Sequence, residues 1–152
     1  LVDCLKDGGI MKIGLYSELA RKQIVEIRND ISQLGIGSSN AEMRSYRQAL
    51  IEPERDYFKE ISYSSNFYSL SEFRDLLFHI QEHRFDIPQI NECLEKLGLK
   101  FCGFNKKAAI QKFRQSNNEP EDLYDLYKWQ RFEESNPETF AGMYQFWCQK
   151  VG

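Results

Sequence analysis

The chain has 152 residues, 41% hydrophobic and 28% charged, with a formal net charge of −3 and an isoelectric point near 5.5. That is one domain's worth of chain, able to bury about two thirds of its unfolded surface, and its acidic balance argues against a broad nucleic-acid or anionic-membrane footprint. Cys4, Cys93, Cys102 and Cys148 lie far apart with no CxxC pair, which excludes a zinc knuckle and a dithiol redox motif; with no signal peptide and no membrane-spanning apolar run, reduced thiols in a cytoplasmic setting are expected.

In chain order, DCLKDGG (3–9) reads as an amphipathic helix end closed by a Gly-Gly turn, and IMKIGLY (10–16) alternates as a strand. SELARKQIVEIRNDISQLG then places Leu19, Ile24, Ile27, Ile31 and Leu34 at helical spacing, with Ser17 as cap and Gly35 as stop. GIGSSN (35–40) is a loop, Ala41 to Leu50 a second helix, and Pro53 to Ile61 a short third turn. Ser69 and Glu72 have capping-box spacing, and their helix should carry Phe73, Leu76 and Leu77 inward, ending near Phe78 or running on through the histidines.

Farther on, Phe85 to Pro88 is an extended lead-in with Pro88 at a helix start, Gln89 to Leu97 a short helix stopped by Gly98, and LKFCGF (99–104) a strand. Lys106 to Ser135 is a polar, helix-prone excursion whose apolar stripe is Leu123, Leu126, Tyr127 and Trp129. Its leading cations, Lys106, Lys107, Lys112 and Arg114, read as a solvated face. TFAGMYQFWCQKV (139–151) is a last strand, and with 11 Phe and 8 Tyr in the chain its core should be aromatic.

HIQEH (79–83) matches the HxxEH pattern, in which two histidines on one helix face bind zinc and the glutamate activates a bound water. His79 and His83 are the only histidines, and nothing in the sequence marks a third ligand. A zinc site, histidines that hydrogen-bond to backbone or to Glu82, and contact with a substrate are the readings the segment allows. No metal is expected.

CLKDGGIMKIGLYSELAR resembles the fifth-strand region of class I S-adenosylmethionine-dependent methyltransferases, where an LKPGG turn precedes an apolar strand; here Asp7 stands in place of the proline. FDIPQINECLEKLGLKFCGF resembles the late helix and sixth strand of that fold, and FAGMYQFWCQK its closing antiparallel strand. YSLSEFRDLLFHIQEHRFDIPQI is similar to a stretch in methyltransferases fused to tetratricopeptide-type repeats. The resemblance implies an α/β chain, α+β in isolation: the C-terminal part of a Rossmann-like sheet, about three strands, with residues 1–18 in the sheet, 19–84 as a helical insertion or lid, and 85–152 as late helix and closing strands. It implies S-adenosylmethionine as cofactor of the parent protein and none for this chain, because no glycine-rich strand-turn-helix loop is present; GIGSSN follows a helix.

By the same resemblance Tyr16, Ser17 and Glu18 border the cleft at a strand's carboxyl end, and Tyr16, Glu18, Arg21, His79, Glu82 and His83 are the substrate-side candidates, with the catalytic group unassigned. The implied partners are the missing N-terminal half, upstream repeats, and a second copy of the chain paired along an open apolar strand edge, with neither nucleic acid nor membrane among them. A helical protein-interaction module without catalysis is the alternative.

Overall fold

The computed structural model describes residues 1–51, 67–78 and 82–152. It is a mixed α/β chain that divides into two compact units, Leu1–Arg21 with His83–Gly152, and Lys22–Glu82. The third turn expected at Pro53 to Ile61 and the residue His79 lie outside the described residues.

The first unit is built on a four-stranded mixed sheet, one strand more than expected, of β1 (Ile10–Ser17), β2 (Arg84–Phe85), β3 (Leu99–Phe104) and β4 (Tyr144–Lys150), in the order β2-β1-β4-β3. β4 is antiparallel to both β1 and β3, whereas β2 pairs in parallel with the end of β1, Tyr16 opposite Arg84 and Ser17 opposite Phe85. The strand period sets which side chains go in: Met11, Ile13 and Leu15 of β1 lie opposite Cys148, Phe146 and Tyr144 of β4, all on the face that meets the core. The alternate positions point away, leaving Ile10 61% and Trp147 39% exposed. Between Phe101 and Phe104 the register shifts, and Gly103, at φ +106, supplies the backbone conformation that the irregularity requires.

Helices labelled in chain order complete this unit: α4 (Ile87–Lys96), α5 (Lys107–Phe113) and α6 (Leu126–Ser135). Pro88 stands in the first turn of α4, as expected, but the helix starts at Ile87 and not Gln89, because Asp86 caps it in a reciprocal box with Gln89 that was not expected from the sequence. Gly98 follows α4 at φ +62 and turns the chain into β3. Their apolar faces and the sheet enclose an aromatic core of Phe101, Phe104, Phe113, Trp129, Phe140, Tyr144 and Phe146. Phe113 stacks on Trp129 at 3.9 Å, and the indole N–H donates to the Leu123 carbonyl at 3.0 Å.

Three expectations fail here. The stretch before the Gly-Gly turn forms only a 3-10 turn at Val2–Cys4; Tyr127, assigned to the apolar stripe, is 78% exposed while Leu126 and Trp129 are buried; and the strand expected over 139–151 starts only at Tyr144, after a 3-10 turn at Pro137–Phe140.

The second unit contains α1 (Lys22–Gln33), α2 (Asn40–Ile51) and α3 (Leu70–Leu77). Its core is mainly aliphatic: Ile24, Ile27, Ile31, Met43 and Leu50 with Tyr46, Phe67, Phe73 and Leu77. The helix expected from Ser17 instead starts at Lys22, because Ser17 pairs with Phe85 as the last residue of β1 and residues 18–21 form a turn. At α3 Ser69 is the N-cap, but its side chain makes no cap bond and contacts the Ser71 hydroxyl, so the box with Glu72 is absent. A box forms at α2 instead, where the Ser39 hydroxyl donates to Glu42, whose carboxylate also accepts from the backbone N–H groups of Gly37 and Ser39.

Candidate functional site

The polar groups of the first unit converge at one end of the sheet. Because β4 is antiparallel to β1, the carboxyl end of β1 (Tyr16, Ser17) meets the start of β4 (Tyr144). α6 brings Glu133 to the same place, and β2 brings Arg84.

Three side chains there form a buried network. Ser17 is 1% exposed, Glu133 3% and Tyr144 0%. The Ser17 hydroxyl donates to Oε1 of Glu133 at 2.7 Å, and the Tyr144 hydroxyl donates to Oε2 at 2.6 Å. Ser17 Oγ in turn accepts the backbone N–H of Ala20 at 3.1 Å, which ties the network to the turn that follows β1. A carboxylate here has given up water for two hydroxyls, and burial accordingly pushes the Glu133 carboxyl above its ordinary value, with the nearby Asp86 and Glu134 charges acting in the same sense. The two hydroxyl donors pull the other way without prevailing. Burial, then the bond to Glu133, pushes the Tyr144 phenol well up, so it stays protonated and stays a donor.

Beside this network lie Arg21, itself buried, the half-buried Tyr16 and Arg84, and the exposed Glu18. The Arg21 guanidinium sits 4.2 Å from the centre of the Tyr16 ring, a cation–π contact. Arg84 Nε meets Glu18 Oε2 at 3.0 Å, and the Glu18 backbone N–H donates to the Phe85 carbonyl at 2.8 Å.

Neither a protein-family model nor a curated protein matches this chain. Its reading therefore rests on the residues.

Of the substrate-side candidates, Tyr16, Glu18 and Arg21 come together at this strand end. Glu82 belongs to the second unit, where it pairs with Arg28 at 3.0 Å; the same guanidinium donates to the Leu76 carbonyl from Nε at 3.0 Å and from Nη2 at 2.7 Å. His83 is exposed. Among the described residues no group of three histidine, cysteine, aspartate or glutamate side chains could hold a metal ion.

Sequence reasoning missed Glu133, Tyr144 and Arg84. Glu133 sits in a polar stretch, RFEES, where a glutamate ordinarily faces solvent. A signal did exist: counting by helical steps from Leu126 and Trp129 reaches Glu133, so the stripe's own period carries a carboxylate into the core.

The turn that follows β1, Glu18-Leu19-Ala20-Arg21, contains no glycine, and so lacks the close backbone approach that a nucleoside or phosphate cradle demands. What the arrangement offers is different: a buried carboxyl of raised proton affinity, locked between two hydroxyls, beside two arginines, one glutamate and one tyrosine of which only Glu18 is exposed. Such a site can orient a polar acceptor and hold a proton. The Ser17 hydroxyl, 1% exposed and bonded to Glu133, holds the network together and is closed to an incoming substrate.

Proposed function

We propose that the chain is the C-terminal portion of an S-adenosylmethionine-dependent methyltransferase, contributing the sheet edge and the substrate side of the cleft, with the cofactor's site formed by residues outside it. The observation that carries this reading is the strand order β1-β4-β3 with β4 antiparallel to both neighbours, which is the arrangement implied for the fifth, seventh and sixth strands of such enzymes by the resemblance of three separate segments. The polar cluster at the carboxyl end of β1 supports it, because open α/β sheets bind ligands beyond the carboxyl ends of their strands.

In this reading Tyr16, Glu18 and Arg21 face the methyl acceptor, and Glu133 and Tyr144 fix the strand end that carries them. The chain's own residues orient the acceptor and exclude water, which is most of what methyl transfer asks of a protein. The outer edge of β1 is paired by β2 only at Tyr16 and Ser17, so Ile10 to Leu15 would accept a further strand, from the enzyme's other half or from a second copy of this chain.

The test is binding of S-adenosylhomocysteine by the chain alone and by the polypeptide extended upstream through one Rossmann half. The extended protein should bind with micromolar affinity and transfer methyl groups from labelled S-adenosylmethionine, and the chain alone should do neither. Failure of the extended protein to bind would overturn the reading. One observation favours a second reading, a helical interaction module: Lys22–Glu82 forms a compact unit with its own core and exposes Leu34, Ile51 and Tyr68.

A further inference from the structure

A second polar concavity lies apart from the strand end, in the first unit. It is a groove of about 500 Å³ between the end of α5 and the outer face of α6, lined by Lys112, Gln115, Asn117, Lys128, Arg131 and Phe132 with flanking serines. Its volume falls within the range of small-molecule sites. No carboxylate lines it, in a chain that is acidic overall.

The three cations are not equivalent. Lys128 is ion-paired with Asp122 and also feels Asp125 and Glu119, so its charge is largely offset. Lys112 and Arg131 make no ion pair among the described residues, although they come from different helices and line one groove. Bringing two like charges to one concavity is unfavourable unless an anion or solvent screens them.

Both helices also end beside this groove, and a helix C-terminus repels anions. That repulsion is blunted here in the same way twice: the Asn117 amide donates to the Phe113 carbonyl at 3.1 Å, and the Asn136 amide to the Phe132 carbonyl at 2.9 Å. With those carbonyls capped, the groups left to meet a ligand are the guanidinium, the ammonium, the Gln115 carboxamide and the Ser116 hydroxyl, and the half-buried Phe132 ring supplies an apolar wall. A planar fork of donors beside a mobile point charge suits phosphate oxygens.

We propose that this groove binds a small phosphate-bearing ligand, with Arg131 and Lys112 on the phosphate and Phe132 against the body of the molecule. The proposal is independent of the methyltransferase reading, and either can fail alone. The phosphate could belong to a soluble ester or to a lipid headgroup, and the experiment separates the two.

The intact chain is titrated with inorganic phosphate, adenosine monophosphate and citrate, and is floated with phosphatidylcholine vesicles with and without phosphatidic acid. Saturable binding is expected at roughly millimolar or tighter, weakened by salt, with the nucleotide tighter than inorganic phosphate because of Phe132. A preference for phosphatidic-acid vesicles over every soluble probe would assign the lipid source and support the site equally. Replacing Arg131 and Lys112 together by alanine should weaken binding at least tenfold while leaving the thermal transition in place. Replacing Lys107 and Arg114, exposed cations outside the groove, should leave affinity unchanged. No saturable binding to any phosphate probe, citrate binding as tightly as the phosphates, or equal loss in both double variants would overturn the proposal.

Discussion

The two units bury different kinds of side chain. The helical unit, Lys22–Glu82, closes over a mainly aliphatic core, whereas the sheet unit encloses an interlocked set of aromatic rings and, among the described residues, holds all the buried polar residues: Ser17, Arg21, Asp122 and Glu133. A buried carboxylate costs stability unless hydroxyls or cations compensate it. The helical unit also holds a desolvated pair, Arg28 with Glu82, whose side chains are 15% and 6% exposed; in the sheet unit Ser17 and Glu133 share one network at the end of β1, while Asp122 pairs with Lys128.

The largest effects should come from breaking each core separately. Trp129, which is 0% exposed, stacks on Phe113 and meets Phe104 edge-on at 5.0 Å, so Trp129→Ala should destabilise the sheet unit by about 3–5 kcal/mol. Phe73, also fully buried and 5.5 Å from the Phe67 ring, should cost the helical unit a similar amount as Phe73→Ala. Hydrogen exchange resolved along the chain is the measurement. Protection lost on Phe73→Ala should be confined to α1, α2 and α3, with β1, β3 and β4 unchanged. Uniform loss would show that the two cores unfold as one cooperative block.

Next come the effects of the buried network. Glu133→Ala leaves the Tyr144 and Ser17 hydroxyls buried without their acceptor, and should cost about 2–4 kcal/mol in denaturant unfolding. Glu133→Gln keeps the shape and removes the charge. Its signature is in pH. Because the folded-state proton affinity of Glu133 is raised, its contribution is fully present below the ordinary carboxyl value of 4.5 and is lost as pH rises through the raised value. Measured from pH 4.5 toward neutrality, the wild type should therefore lose stability relative to Glu133→Gln, by up to about 1.4 kcal/mol for each unit by which the folded value is raised. A difference flat in pH would mean that Glu133 is not held in a desolvated state.

How legible these features were in the sequence follows the same division. Elements fixed by local chemistry were readable: the proline at the start of α4, the LKFCGF strand and the alternation in YQFWC stand where the residues put them, while the Asp86 cap went unread. What failed was decided at a distance. Ser17 is a good helix cap by type, but its backbone pairs with Phe85, far along the chain, and so it ends a strand. Ser69-x-x-Glu72 has the spacing of a box and Ser39-x-x-Glu42 has the same spacing; only the second forms, and spacing alone does not distinguish them. Half of the strand-end cluster was visible, since Tyr16, Glu18 and Arg21 are consecutive with a strand end. Glu133 and Tyr144 were not, because what makes them special is mutual contact across folded elements, which no local pattern announces.

The smallest effects compare the two capping boxes. Ser39→Ala removes the exposed cap of α2 and should cost the helical unit about 1 kcal/mol, independent of pH above about 5, because its bonds to Glu42 hold that carboxyl below its ordinary value and hence charged. Asp86→Asn at α4 keeps a capping oxygen and removes a charge that does two opposed things. The negative charge at a helix start is worth a few tenths of a kcal/mol, but the same charge raises the proton affinity of Glu133 and so works against its ionised form. At a pH low enough to protonate Glu133, only the first effect remains and Asp86→Asn should be slightly destabilising. At a pH above the raised value of Glu133, relief of its ionised form should offset that cost, shrinking it or reversing its sign. Paired unfolding curves at the two pH values decide the matter: a cost that is the same at both would uncouple Asp86 from the buried network and leave it a helix cap like Ser39.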